Sequence, residues 1–235
     1  MKISRSTAER IQFFFDQIIP PIIRDSRWFM HIPLKLVLKD KYQIFTDFKN
    51  NALCLSKEEF SKKYEYIESV IIKRETDLNE ACITAILKNI VGSTVLEAGC
   101  GKGFLAKKMS EKYEVTATDI IIDSRLASNH TNIRFQEANV EDLPFKDKEF
   151  DTVVCTHTLQ HVQNIFMAIH ELKRVAKKRL IVVVPKQRSY KYTFDLHLHF
   201  FPYEYSLLAL MNVDNKVGLC KEIGGDLFYM EDIMD

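Results

Sequence analysis

Val95-Leu96-Glu97-Ala98-Gly99-Cys100-Gly101-Lys102-Gly103-Phe104 (VLEAGCGKGF, residues 95–104) is the stretch whose reading decides the fold. Two apolar residues lead to one acid, and then come three glycines two apart. A helical pattern follows over Leu105–Met109. That order reads as a buried strand, a tight glycine turn and a helix that opens at the turn. Glycine permits positive φ and lets a ligand approach the backbone where a Cβ would collide. The free N–H groups and dipole of the helix start favour a negative group such as a carboxylate.

The spacing excludes two nucleotide-binding readings. The dinucleotide fingerprint needs its third glycine three residues after the second, where this chain has Phe104. The phosphate loop needs a Gly-Lys-Ser/Thr ending, which is absent. A strand-to-helix turn that binds nothing is the competing structural reading. The observed E-x-G-x-G-x-G resembles the first motif of class I S-adenosylmethionine (AdoMet) methyltransferases.

Composition bounds the answer. The chain has 235 residues, 46% of them hydrophobic and 28% charged. One α/β domain with an appendage fits that length. Net charge is +1, so overall charge makes no case for nucleic acid or an anionic membrane. The five cysteines are odd in number and contain no CxxC pair, as expected of reduced thiols in cytoplasm. Neither Phe13-Phe14-Phe15 nor the apolar run around Pro20-Pro21 makes a signal peptide or a membrane span.

Residues 1–90 are expected to form a helical cap or lid. Ser6 with Glu9 reads as a capping box, followed by Ile11, Phe14, Phe15 and Ile18 at helical spacing, with a stop at Pro20-Pro21. Residues 24–51 are aromatic-rich without a clear period and are expected to form short helices and turns. Ser56 with Glu59 marks another helix, running to about Ser69, and Asp77 a further one that feeds the first strand. The segment either covers the sheet or shapes an acceptor pocket with Trp28, Phe29, His31 and Tyr42.

From residue 91 the strands follow in order. Residues 113–120 alternate and close on Asp119 and Ile120, 16 residues past Gly103. A carboxylate there can accept from a ribose diol. A short helix is expected at 123–128, a third strand at 133–138, a central apolar strand at 150–157 and a fifth at 179–184. A helix is read as opening from Leu159–Val162. The run ANVEDLPFKDKEFDTVVCTHTLQHV (138–162) resembles the corresponding run of small-molecule methyltransferases related to the quinone-biosynthesis enzymes. With the glycine motif, the resemblance covers roughly residues 95–185.

The resemblance implies AdoMet as cofactor and S-adenosylhomocysteine as product. It implies that Glu97 holds the methionine ammonium and that the turn Gly99, Cys100, Gly101 and Gly103 passes close to the methionine and ribose. It also implies that Asp119 binds the ribose hydroxyls, and that Ile120, Asn139 and Val140 address adenine. Family members usually carry Asp at the position of Asn139. Thr156, His157 and Thr158 fall at the carboxyl end of the central strand, where doubly wound sheets bind ligands. The Asn/Asp-Pro-Pro-Tyr/Phe run of many amino-group methyltransferases is absent there.

The run 186–201 is dense in polar and aromatic residues where acceptor-binding loops occur in such folds. If extended, it places Asp195, His197 and His199 on one face. That cluster can hold a metal, supply a general base or pack as a polar cluster. The base reading makes His199 and His197, with His157, catalytic candidates, and no metal is assigned. Residues 203–211 read as a helix. Val217–Lys221 and Asp226–Met230 read as a closing hairpin around Gly224-Gly225.

The expected fold is a doubly wound, Rossmann-like α/β sheet of about seven strands, mostly parallel with the last antiparallel. The N-terminal helical cap (1–90) precedes the AdoMet-binding domain (91–235). The expected activity is methyl transfer to an oxygen or nitrogen of a small-molecule acceptor, with a sugar or other polar metabolite favoured. No nucleic acid partner and no membrane span are expected. A non-catalytic AdoMet-binding partner subunit is the alternative.

Overall fold

The computed structural model describes residues 10–11, 13–39, 42–71, 75–123, 125–126, 132–192, 196–211 and 218–234. After a π-turn at Phe14–Ile18, the helices in chain order are α1 (Pro21–Arg24), α2 (Arg27–Leu38), α3 (Tyr42–Ala52), α4 (Lys57–Ile71), α5 (Glu80–Asn89), α6 (Phe104–Met109), α7 (Ile165–Val175) and α8 (Glu204–Met211). The strands are β1 (Thr94–Ala98), β2 (Glu114–Asp119), β3 (Ile133–Glu137), β4 (Phe150–Thr156), β5 (Ala176–Pro185), β6 (Leu219–Ile223) and β7 (Asp226–Asp232). They fall into two compact units, one drawn from residues 74–186 and 201–235, the other from 1–73 and 187–200.

The first unit is the sheet, in the order β3-β2-β1-β4-β5-β7-β6. The first five strands pair in parallel, and β7 runs antiparallel to both β5 and β6. This is the doubly wound fold expected from the sequence. Neighbouring residues on a strand point to opposite faces. Leu96, Val153, Val182 and Tyr229 therefore join one core with Ile169 and Leu172 of α7 and Leu207 of α8. Val95, Val154, Val183 and Phe228 join the other, with Ile83 and Ile86 of α5 and Leu105 and Met109 of α6. All seven residues of β4 are buried, as a strand covered on both faces requires.

The capping residues correct two expectations about helix starts. The helix expected from Asp77 begins at Glu80, because Asn79 caps it through Oδ1, which accepts from the Cys82 amide at 2.8 Å. The helix expected from Leu159–Val162 begins at Ile165, because Asn164 is the residue whose Oδ1 reaches into the first turn, to the Met167 amide. The closing hairpin forms around Gly224 and Gly225, with φ of 58° and 87°, a pair that glycine adopts without strain.

The second unit is helical. Its clearest sequence signal is the Ser56 capping box: the Glu59 amide donates to Ser56 Oγ at 3.2 Å and the Ser56 amide to Glu59 Oε2 at 3.0 Å. The short helices and turns expected between residues 24 and 51 are instead mainly two longer helices, α2 and α3, and α2 runs through Pro33. The missing period has a physical cause. Met30 and Leu34 of α2 are buried with Phe15 and Tyr192, while Trp28, Ile32 and Leu36 of the same helix are exposed. Apolar residues all round a helix erase its amphipathic signal.

The segment 187–200 is packed into this helical unit. Arg24 is buried; it donates to the Ser189 carbonyl at 2.9 Å and lies 4.7 Å from the centroid of the Tyr190 ring. Lys49 Nζ donates to the Tyr190 carbonyl at 2.9 Å and sits 4.3 Å from the Phe200 ring centroid. Leu196 joins Phe48, Ala52 and Phe60 in a small core. The capping box at Ser6, residue Asp195, residue Val217 and most of the expected helix at 123–128 lie outside the described residues; Arg125 and Leu126 are helical.

Candidate functional site

The sheet reverses its winding between β1 and β4, with β2 and β3 on one side and β5 beyond β4 on the other. Ligands of open α/β sheets bind at the carboxyl ends of the strands flanking such a reversal. Here those ends are the glycine turn after β1 and Thr156-His157-Thr158 after β4.

All three glycines of the turn have positive φ: 82° at Gly99, 51° at Gly101 and 70° at Gly103. Two tertiary contacts explain the first and last. A Cβ on Gly99 would run into the Thr158 side chain, and one on Gly103 would meet the Phe135 ring at 3.0 Å. Gly101 differs, because nothing of the protein lies within 4 Å of where its Cβ would be. The turn is held from β2: the Gly99 and Cys100 amides both donate to the Thr118 carbonyl, at 2.7 and 2.9 Å, and the Gly101 amide to Asp119 Oδ2 at 2.7 Å. The Cys100 side chain is buried with Val95 and Leu105, so only its backbone belongs to the turn's surface.

Glu97 is 2% exposed, on the strand leading into the turn. Burial pushes its carboxyl well above the ordinary glutamate range; the Ala106 amide opposes that shift, and the nearby Asp119 charge adds to it. Its Oε2 is buried and has no hydrogen-bond partner among the described residues. Burial also raises the Asp119 carboxyl, against hydrogen bonds from the amides of Gly101, Ile121 and Ile120. Two carboxyls are thus held at the mouth of one turn, from neighbouring strands in register (Glu97 opposite Ala117).

The remaining expected cofactor residues lie along the same edge. Asn139 follows β3, where the Ala138 amide donates to the Asp119 carbonyl at 2.9 Å. Asn139 Oδ1 accepts from the Glu141 amide at 2.9 Å, which leaves its amide group and one lone pair. The Val140 side chain is buried in the core, while Ile120 is half-buried at the end of β2. The run Asp142-Leu143-Pro144-Phe145 is a clamped loop. Glu171 accepts from the Leu143 amide at 2.8 Å, and Arg174 donates to the Leu143 and Phe145 carbonyls.

Thr156 is buried at the end of β4, and His157 follows it with φ of 50°. The His157 amide donates to the Val183 carbonyl at 2.8 Å. Its Nε2 lies 3.4 Å from Asp226 Oδ2, within ion-pair distance but outside hydrogen-bond geometry. Asp226 also accepts from Asn79 Nδ2 at 2.8 Å. Asp226 and Asn79 had no site signal in the sequence, because they meet only through a contact 147 residues apart along the chain.

His197 and His199 belong to the helical unit. The described part of the run carrying them is not a strand and bends at Leu198-His199, while Asp195, the third member of the expected face, lies outside the described residues. Leu196 is drawn into the apolar core instead, and His197 Nδ1 is 2.5 Å from Gln187 Oε1. Among the described residues, no group of three His, Cys, Asp or Glu side chains is arranged to hold a metal ion.

Residues 96–184 match the family model described as "Methyltransferase domain". A ubiquinone biosynthesis O-methyltransferase of Rickettsia bellii is 30% identical over 106 residues, 41% of this chain and 43% of that protein. A 2-phytyl-1,4-naphtoquinone methyltransferase of Nostoc is 35% identical over 98 residues, 37% of this chain and 43% of that protein. The chain thus spans under half the length of these two curated relatives. Among solved structures, the 1,6-didemethyltoxoflavin-N1-methyltransferase of Burkholderia thailandensis, with bound S-adenosylhomocysteine, superposes with a TM-score of 0.61 at 18% identity, over 77% of this chain and 92% of that one. A SAM-dependent methyltransferase of Aquifex aeolicus gives 0.56 at 18% identity, over 72% and 98%. Residues 96–184 thus match a methyltransferase-domain model, and the strand order with its glycine turn is the fold of the solved S-adenosylmethionine-dependent methyltransferases on which the chain superposes.

Proposed function

We propose that the chain binds AdoMet at the glycine turn and transfers its methyl group to an oxygen or nitrogen of a small-molecule acceptor. One observation carries the reading: the buried Glu97 carboxyl near the end of β1, one oxygen of which has no partner among the described residues. A buried carboxyl without a full set of partners is costly, and an incoming ammonium relieves that cost. The open space over Gly101, where any side chain would intrude, fits the same group.

When bound, AdoMet supplies a methyl group already made electrophilic by its sulfonium. The chain's own residues bind and orient. Glu97 would hold the methionine amino group, Asp119 the ribose hydroxyls and Asn139 the adenine edge. His157, beside Asp226, is the group in the sheet unit suited to take a proton from the acceptor. Alignment of acceptor and methyl group can contribute on the order of 7–11 kcal/mol to such a reaction.

The relatives' names support oxygen and nitrogen acceptors alike, in ubiquinone biosynthesis and on 1,6-didemethyltoxoflavin. A sugar or other polar metabolite is the acceptor favoured by the His- and Tyr-rich run 190–199. Calorimetry with AdoMet and NADH side by side tests the cofactor, and a preference for NADH overturns the reading. Labelled AdoMet with pooled small metabolites tests the transfer. Tight AdoMet binding with no transfer to any pool would make the chain a non-catalytic binding subunit.

A further inference from the structure

The exposed face of α2 carries an apolar row and two cations. Trp28, Ile32 and Leu36 recur every fourth residue and are 71%, 58% and 76% exposed. Arg27 and Lys35, each one position earlier in sequence, are exposed beside them. Residues four apart lie on one face of a helix, so an apolar strip runs along α2 with one cation beside each end, His31 between them being turned against Tyr42. The opposite face is occupied, because Met30 and Leu34 are fully buried.

The described residues of α2 itself place no carboxylate on this face. The helix sequence RWFMHIPLKLVL has no acid. Of the three acids that precede it, Glu9 lies outside the described residues, Asp16 is buried 3.8 Å from Arg24, and Asp25 accepts from the Lys191 amide at 2.7 Å. The near-zero net charge of the whole chain thus conceals a local surface that is apolar and cationic. Burying such a strip against water-excluding, negatively charged matter satisfies the apolar row and the cations at once. Tryptophan, apolar on its body and polar at its N–H, suits the boundary of such a medium. A helix with this division lies in the plane of a membrane surface rather than across it.

We propose that this face of α2 is a membrane-contact surface that rests on anionic lipid headgroups, with Trp28, Ile32 and Leu36 in the interface and Arg27 and Lys35 on the phosphates. The proposal is independent of methyl transfer. No described helix is long and apolar enough to cross a membrane, so the contact is peripheral.

Trp28 is the chain's only tryptophan, which makes its fluorescence a direct reporter. The test mixes the full chain with vesicles of phosphatidylcholine alone and of phosphatidylcholine with phosphatidylglycerol. Emission is expected to shift to the blue, and the protein to co-sediment, with the anionic vesicles, less so as salt rises. Arg27→Glu with Lys35→Glu, and separately Ile32→Glu with Leu36→Glu, should each weaken binding about tenfold or more. All four positions are exposed, and unchanged circular-dichroism melting would show that the variants fold. No shift with anionic vesicles overturns the proposal, and so does equal binding by either folded double variant. A blue shift that grows with protein concentration in the absence of vesicles, with dimers in sedimentation, also overturns it and assigns the face to a second copy of the chain.

Discussion

Asp119 Oδ2 accepts a 2.7 Å hydrogen bond from the amide of Gly101, so the acid ending β2 holds open the turn that follows β1. One carboxylate therefore serves the protein's own backbone and still has lone pairs to offer a ligand. This dual use shapes what substitution there should do. Asp119→Ala removes both roles and should weaken AdoMet binding about tenfold or more, the effect of losing roughly 1–3 kcal/mol of charge-assisted hydrogen bonding. Asp119→Asn keeps an oxygen for Gly101 and should lose less. Calorimetric titration of both variants checks the order, and equal losses would mean that only the charge matters.

Glu97 should make AdoMet affinity depend on pH. Its carboxyl is raised by burial, so the ligand-free native state holds a proton that the unfolded chain releases near the ordinary value of 4.5. Native stability should then fall as pH rises from that value through the raised native one, because the native state binds more protons over that window. An ammonium beside the carboxyl favours the ionised form, so binding should tighten over the same window and release a proton. Calorimetry in buffers of different ionisation heat reads that proton directly. Glu97→Gln should flatten both dependences and leave the ligand-free protein no less stable.

Two glycines of one turn should fail in different ways. Gly99→Ala puts a methyl into Thr158 at φ of 82°, and it should cost more than about 2 kcal/mol of stability, seen in thermal melting. Gly101→Ala meets no protein atom, so only its left-handed backbone is strained, by about 1 kcal/mol. The space over Gly101 is where the cofactor is proposed to lie. Gly101→Ala should therefore lose far more AdoMet affinity than stability, and retained affinity would place the nucleoside elsewhere.

The parts of this protein that could be read from sequence are those set by local rules. The glycine turn, the buried β4, the Ser56 capping box and the Gly224-Gly225 hairpin each carry their own spacing or backbone requirement. The parts that escaped depend on contacts distant in sequence. Asn79 rather than Asp77 caps α5 because the Asn79 side chain also reaches Ile223 and Asp226 across the hairpin. The period of α2 was hidden because one face packs on Phe15 and Tyr192 while the other is apolar and exposed. His197 and His199 looked like a strand-borne pair, but Leu196 anchors the run in a helical core, and the chain bends two residues later.

At the opposite end of the sheet, Asp151 fastens the start of β4 to the start of β1. Its Oδ2 accepts from the Ser93 amide at 2.8 Å, and its other oxygen lies 2.8 Å from Lys178 Nζ. These contacts hold its carboxyl down at about 2. The stability it contributes is present above the unfolded value of 3.8 and should be lost as pH falls toward 2. Because Lys178 is half exposed and solvent screens it, the contribution is about 1–2 kcal/mol. Asp151→Asn should lower the melting temperature at neutral pH and have little effect near pH 2, while AdoMet affinity stays unchanged.

The last prediction asks which histidine serves the acceptor. His157 sits at the carboxyl end of β4, with Nε2 3.4 Å from Asp226, and Asn79 fixes that carboxylate from α5. A proton taken from an acceptor hydroxyl by His157 would leave an imidazolium facing a carboxylate, which stabilises it. His157→Ala should then lower kcat by about 10²–10⁴-fold and leave AdoMet affinity unchanged. Asp226→Asn keeps the side chain's shape and its contact with Asn79, and it should lower kcat less. His197→Ala removes a side chain already bonded to Gln187 and should cost stability before it costs turnover. Full activity in His157→Ala, with turnover lost in His197→Ala or His199→Ala at unchanged melting temperature, would transfer the acceptor's base to the helical unit.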